Sequence, residues 1–213
     1  QGKEGVEDPR WCAELLLRRL LKVERARFFL LLQQPLSPQQ RQTFAAWVER
    51  LARGEPLQYI LGEWEFCGLS FNVTPAVLIP RPETEELVEE VLQRGDLCFA
   101  GRSGLHVADI GTGSGAIAVT LAKERPSWRL WATDLSPDAL AVARENAARH
   151  GVAERISFLQ GDLLAPLIRA GVACDLLVSN PPYIPSGEIP RLQPQVREHE
   201  PALALDGGPD GLR

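Results

Sequence analysis

From Leu105 onward the chain repeats one pattern: a short apolar strand, a loop carrying glycine or an acid, then a helix. Leu105–Ile110 reads as a strand and Ala116–Glu124 as a helix. Arg129–Thr133 is a strand ending at Asp134, and Ser136-Pro137 caps a helix that runs to His150 and stops at Gly151. Ile156–Gln160 and Asp175–Ser179 are two further strands. Such alternation implies an α/β fold: a parallel, doubly wound sheet with right-handed crossovers. In sheets of this kind, ligands bind in the crevice outside the carboxyl ends of the strands.

The residues before the repeat follow other rules. Residues 11–32 and 37–53 predict helices with broad apolar faces, the second with Ser37 as N-cap and Pro38 in its first turn. A short helical turn is expected near Leu57–Leu61. Arg18, Lys22 and Arg25 fall at i, i+4 and i+7 and share one face of the first helix, a solvated stripe or a dock for an acidic partner. Trp64, Phe66, Leu69, Phe71, Val73 and Val77 around Gly68 predict a β-hairpin. Ile79-Pro80-Arg81-Pro82-Glu83-Thr84-Glu85 then opens a helix to about Gly95. The expected organisation is a helical domain over 1–62, a hairpin linker over 63–78 and the sheet domain over 79–213.

Composition narrows the function. Apolar content is 45% and charged content 24%, ordinary for a globular chain, and no stretch approaches the ~20 apolar residues of a membrane span. Gln1 to Arg10 is polar and acidic, without a secretory pattern. The four cysteines, Cys12, Cys67, Cys98 and Cys174, form no CxxC, and His106, His150 and His199 show no ligand spacing. This predicts no metal and a reducing compartment, cytoplasmic or organellar. The net charge of −5 argues against a nucleic-acid footprint. Residues 81–213 carry thirteen Lys/Arg against nineteen Asp/Glu, a balance that suits a positively charged cofactor or substrate. The chain contains no methionine and stops at Gly207-Gly208-Pro209-Asp210-Gly211-Leu212-Arg213, which reads as a loop entering a helix, so a fragment is expected.

Asp109-Ile110-Gly111-Thr112-Gly113-Ser114-Gly115 follows the first strand of the repeat and opens a helix. Its glycines let the backbone turn sharply and approach a ligand, and the helix start offers N–H groups to a carboxylate or phosphate. Asp134, 23 residues after Gly111, can accept both hydroxyls of a ribose. Together they specify an adenosine-containing cofactor. Gly111, Gly113 and Ala116 also satisfy the GxGxxG/A dinucleotide fingerprint, which leaves a nicotinamide enzyme open.

Asn180-Pro181-Pro182-Tyr183 follows the apolar run Leu176-Leu177-Val178-Ser179 at a strand end. Two prolines stiffen the loop and leave it carbonyls without donors, while Asn180 adds a carboxamide and Tyr183 a flat face. Such a corner can hold a planar nitrogen group by its hydrogens. Asn-Pro is also common turn punctuation, so a plain strand-ending turn is the alternative. A DNA adenine methyltransferase, whose flipped base also presents a planar NH2, and a non-catalytic adaptor are rivals. An acidic chain disfavours the first, and intact Gly113 and Asn180 disfavour the second.

The glycine loop and the Asn-Pro-Pro-Tyr corner together resemble S-adenosyl-L-methionine-dependent methyltransferases that act on planar nitrogen. With Gln58-Tyr59-Ile60-Leu61-Gly62, Leu78 to Glu85 and Glu200-Pro201-Ala202-Leu203, the chain resembles the release-factor glutamine methyltransferases, the HemK/PrmC family, over nearly its whole length. The resemblance implies a Rossmann-like methyltransferase sheet, C-terminally incomplete here, with a small N-terminal helical domain that recognises substrate and a β-hairpin linker. It implies methylation of the glutamine side chain in the Gly-Gly-Gln loop of class 1 peptide chain release factors, in support of translation termination, with S-adenosyl-L-homocysteine as product. Carried onto this sequence, Asn180, Pro181, Pro182 and Tyr183 are catalytic. Asp109, Gly111, Thr112, Gly113, Ser114, Gly115, Asp134, Asp162, Leu163 and Asn180 hold the cofactor, with Leu163 where the family often places an aromatic beside the adenine. Further strands are expected after Gly211 in the family, so this chain should show four parallel strands with Asp175–Ser179 at an edge.

Overall fold

A computed structural model describes residues 8–102 and 104–212. The first seven residues of the expected helical domain, and Arg213 of the expected sheet domain, lie outside the described residues. The chain forms two compact units, one of residues 1–61 with 192–199 and one of residues 62–191 with 200–213.

The smaller unit is helical. Helix α1 (Pro9–Leu21) starts where Asp8 accepts a hydrogen bond from the Arg10 N–H at 2.9 Å. It ends at Lys22, which adopts the left-handed conformation (φ 53) while the Lys22 and Val23 N–H groups return to the Arg19 and Arg18 carbonyls. A second helix, α2 (Arg25–Leu31), follows. The single helix expected over 11–32 is therefore two, and the stripe of Arg18, Lys22 and Arg25 does not exist. Arg18 and Arg25 instead converge on Glu14, at 3.8 and 2.9 Å. Helix α3 (Pro38–Ala52) carries a full capping box, Ser37 with Gln40. Helix α4 (Leu57–Leu61) supplies Leu57 and Ile60 to a core shared with Cys12 and Leu16.

The larger unit begins with a hairpin, β1 (Glu63–Phe66) and β2 (Leu69–Asn72), paired antiparallel from Glu63↔Asn72 to Phe66↔Leu69. Cys67 and Gly68 both take positive φ (48 and 70), the two-residue turn whose twist matches its strands. The hairpin is no free linker, since Phe66 and Phe71 are buried in the core of the main sheet. Helix α5 (Pro82–Cys98) runs three residues past Gly95, where the Trp128 ring fills the space a side chain would take.

The main sheet comprises β3 (His106–Ile110), β4 (Arg129–Asp134), β5 (Ile156–Gln160) and β6 (Leu176–Ser179), all parallel, in the order β5-β4-β3-β6. Helices α6 (Ala116–Glu124) and α7 (Pro137–Arg149) connect the first three strands. Side chains alternate across β3: Val107 joins the core with α6, while Ala108 and Ile110 meet Leu167 of α8 (Ala165–Arg169) on the other face. Register aligns the carboxyl ends, with Ile110 opposite both Thr133 and Ser179. The chain runs outward from β3 through β4 to β5, then returns to the other side of β3 for β6. The glycine loop and the Asn-Pro-Pro-Tyr corner therefore open side by side at a switch in strand order. Helix α9 (Pro194–His199) returns to the helical unit, and residues 200–212 rejoin the sheet unit.

Among the described residues no helix is long and apolar enough to cross a membrane, and no group of three or more His, Cys, Asp or Glu is placed to hold a metal ion.

Candidate active site

A cleft of about 520 Å³ opens at the carboxyl ends of β3, β4 and β6, a size suited to a small-molecule ligand. Gly111 and Gly113 line it, with φ of 73 and 55 and nothing within 4 Å of where a Cβ would sit. That open space over the backbone is the cradle that close ligand approach requires. The loop is held from behind: Gly111 and Thr112 N–H both donate to the Thr133 carbonyl at 2.9 Å.

Asp134 stands at the end of β4, in the cleft wall. Its Oδ2 accepts from the Gly113 N–H and its Oδ1 from the Ser136 N–H, each at 2.9 Å. Each carboxylate oxygen retains acceptor capacity for a hydroxyl, so one residue both shapes the loop and offers paired acceptors. Asp162 and Leu163 line the cleft beyond it. Leu163 sits in the left-handed region (φ 43), its carbonyl accepting from the Thr133 hydroxyl at 3.2 Å. Strained backbone of this kind persists only where its surroundings hold it, and here it keeps an aliphatic side chain at the cleft.

Three expected site residues do not line the cleft. Asp109 is 0% exposed, with Oδ2 accepting from the Thr112 hydroxyl at 2.6 Å and the Ala118 N–H at 3.2 Å. Burial pushes its carboxyl up to about 6, against the two hydrogen bonds, and Asp134 adds to the rise. It braces the loop from within the core. Gly115 faces α7, where a Cβ would stand 3.1 Å from that of Ala143, so it serves packing. Tyr183 is 69% exposed, its ring outside the lining. Thr112 and Ser114 do line the cleft, but both are buried, and the Thr112 hydroxyl is committed to Asp109.

Asn180, Pro181 and Pro182 form the β6 side of the cleft. The Asn180 Nδ2 donates to the Thr84 hydroxyl at 3.1 Å. The corner is backed by residues 205–208: Ile184 N–H donates to the Leu205 carbonyl at 3.1 Å and Gly207 N–H to the Ile184 carbonyl at 2.8 Å. A Cβ on Gly207 would stand 2.9 Å from the Pro182 carbonyl oxygen, so only glycine permits this approach. The segment from Gly207 is thus a brace for the corner. Ala76, Val77, Leu78, Pro80, Leu203 and Ala204 also line the cleft.

The residues fit an adenosyl ligand carrying a positive charge: an open glycine cradle, a strand-ending carboxylate and apolar walls. Residues 2–62 match the model of the PrmC N-terminal domain, and residues 87–192 that of the methyltransferase small domain. Fold and cleft thus define a methyltransferase, and the cofactor of that class is S-adenosyl-L-methionine. The chain is 52% identical over 208 residues to the release factor glutamine methyltransferase of Moorella thermoacetica, covering 98% of this chain and 71% of that protein. It is 48% identical over 211 residues to the one from Geobacter sulfurreducens, covering 99% of this chain and 71% of that protein. A solved RNA methyltransferase from Salinibacter ruber, in complex with S-adenosyl-L-homocysteine, is 25% identical over 58% of this chain and 72% of that one, at a TM-score of 0.40. The chain belongs to the release factor glutamine methyltransferase family.

Proposed function

We propose that the protein methylates the side-chain nitrogen of the glutamine in the Gly-Gly-Gln loop of class 1 peptide chain release factors. The observation that carries this is one cleft lined by the glycine loop, Asp134 and the Asn180-Pro181 corner. When bound, S-adenosyl-L-methionine would supply an electrophilic methyl from a sulfonium, whose sulfur would keep the electron pair of the sulfur–carbon bond as nitrogen takes the methyl. The chain's residues have to solve a different problem. An amide nitrogen is a poor nucleophile, because its lone pair is delocalised into the carbonyl. The Asn180 Oδ1 and the Pro181 carbonyl accept the two amide hydrogens, aim the nitrogen and stabilise the positive charge that grows on it. Positioning of this kind can supply about 7–11 kcal/mol in favourable cases. The nitrogen proton leaves to solvent after transfer, so no strong base is required. Asp134 would accept the ribose hydroxyls, Gly111 and Gly113 would admit the ligand to the backbone, and Leu163 would cover the adenine. Tyr183, outside the cleft wall, meets the incoming loop at its mouth.

The match of residues 2–62 to the PrmC N-terminal domain supports assigning release-factor recognition to the helical unit. Four free cysteines suit a reducing compartment that houses ribosomes, cytoplasm or organelle. The test is transfer of a labelled methyl to purified release factor and to the same factor with its Gly-Gly-Gln glutamine replaced. Label on the first and none on the second is expected; equal labelling would reject the assignment.

A further inference from the structure

We infer that Thr84 is a positioning residue that anchors the Nδ2 end of the Asn180 carboxamide, an inference that rests on the function proposed above. A carboxamide has two ends of nearly equal size and opposite hydrogen-bonding sense. Only the oxygen end can accept a substrate amide hydrogen; the NH2 end turned into the cleft would oppose it. The Asn180 Nδ2 donates to the Thr84 hydroxyl at 3.1 Å, which leaves Oδ1 as the free end. Both residues line the cleft, and Thr84 is itself buried, so water competes poorly for this bond.

Thr84 can hold Asn180 because it is held. It lies in the first turn of α5, its N–H donating to the Arg81 carbonyl at 3.0 Å. The Arg81 guanidinium donates to Glu200 Oε1 at 2.5 Å, and Glu200 Oε2 accepts from the Ile79 N–H at 3.3 Å. The Glu200 side chain is 1% exposed, so both of its oxygens depend on these partners. Leu78 to Glu85 and Glu200-Pro201 stand out in the sequence without an evident chemical task. Here they form a chain of contacts from a buried carboxylate, through the start of α5, to the carboxamide that faces substrate.

The test measures methyl transfer to release factor under saturating cofactor, together with calorimetric affinity for S-adenosyl-L-homocysteine. The variants are Thr84→Val, Thr84→Ser, Asn180→Ala and the Thr84→Val/Asn180→Ala double. Thr84→Val keeps the side-chain shape but loses the acceptor, and should lower kcat by about tenfold with KM and cofactor affinity changed less than about twofold. Thr84→Ser restores the hydroxyl and should recover most of the rate. In the Asn180→Ala background, Thr84→Val should cost nothing further, because its target is gone. Full activity in Thr84→Val, an undiminished penalty in the Asn180→Ala background, or loss of cofactor affinity in parallel with rate would each overturn the inference while leaving the proposed reaction standing. Wild-type activity in Asn180→Ala would remove the role given to Asn180 and this inference with it, and no transfer by the native chain would remove the reaction as well.

Discussion

At the scale of single residues, the cleft separates groups that face a ligand from groups that hold those in place, and Asp109 belongs to the second kind. It is a fully buried carboxylate with only one of its two oxygens hydrogen-bonded, and Oδ1 has no partner. Ionising it in the folded protein costs more than in the unfolded chain, so its carboxyl titrates near 6 against about 4 unfolded. Between those values the folded state holds the proton more tightly. Its contribution to stability is therefore intact below pH 4 and is lost as pH rises through 6, by about 3 kcal/mol. A carboxamide in its place would keep an acceptor for Thr112 and Ala118 without a charge to desolvate. Asp109→Asn should lose most of that difference in unfolding free energy between pH 4 and pH 7. Urea titrations of both proteins at the two pH values measure it, and an unchanged difference in the variant would show that Asp109 does not titrate in this window.

At the scale of elements, one buried side chain ties the hairpin to the glycine loop. Asn146 of α7 is 0% exposed; its Oδ1 accepts from the Asn72 N–H at 2.7 Å, and its Nδ2 donates to the carbonyls of Asn72 and Ser114 at 3.0 and 2.9 Å. Replacing it by leucine leaves three backbone groups unpaired, each costing about 1–3 kcal/mol if no water reaches it. Asn146→Leu should lower the unfolding free energy by several times the ~1 kcal/mol typical of a substitution, and weaken S-adenosyl-L-homocysteine binding through the Ser114 carbonyl. Denaturant unfolding and calorimetry read the two effects, and a stability loss with full affinity would uncouple hairpin from loop. This connection is invisible in the sequence, where Asn146 is one polar residue on an ordinary amphipathic helix. Elements with strong periodicity and end signals are legible: Ala116–Glu124 and Ile156–Gln160 are found with the bounds read from sequence, and Ser37 caps as expected. The break at Lys22 is not, because a lysine in left-handed backbone carries no glycine to announce it. Of the cleft, the glycine loop, Asp134 and the Asn-Pro-Pro corner are legible because their chemistry is local to a strand end. Thr84 and the Gly207 brace are not, because their partners lie about a hundred and two dozen residues away in the chain.

At the scale of the whole molecule, the acidic sheet unit has to tell a sulfonium nucleoside from a dinucleotide, since Gly111, Gly113 and Ala116 satisfy the fingerprint of both. The order β5-β4-β3-β6 is also that of a dinucleotide-binding sheet, so the loop after β6 has to decide between them. β6 lies directly beside β3, so Asn180, Pro181 and Pro182 wall the cleft next to the glycine loop, where a dinucleotide would continue across the sheet. Two prolines in sequence cannot easily yield that space. The net charge of −5 also disfavours a ligand rich in phosphate and suits one carrying a positive charge. Ligand-linked stability converts this into a measurement. A ligand at a hundred times its Kd adds about 2.7 kcal/mol to the state that binds it, which for a chain of this length raises Tm by about 5–10 °C. S-adenosyl-L-homocysteine should produce that shift, and NAD at equal concentration should not. Asp134→Ala should abolish most of the shift, because it removes the paired acceptors and also frees the Gly113 N–H that shapes the loop. A shift with NAD that matched the one with S-adenosyl-L-homocysteine would mean that the proline corner does not close the cleft to a dinucleotide and does not select the cofactor.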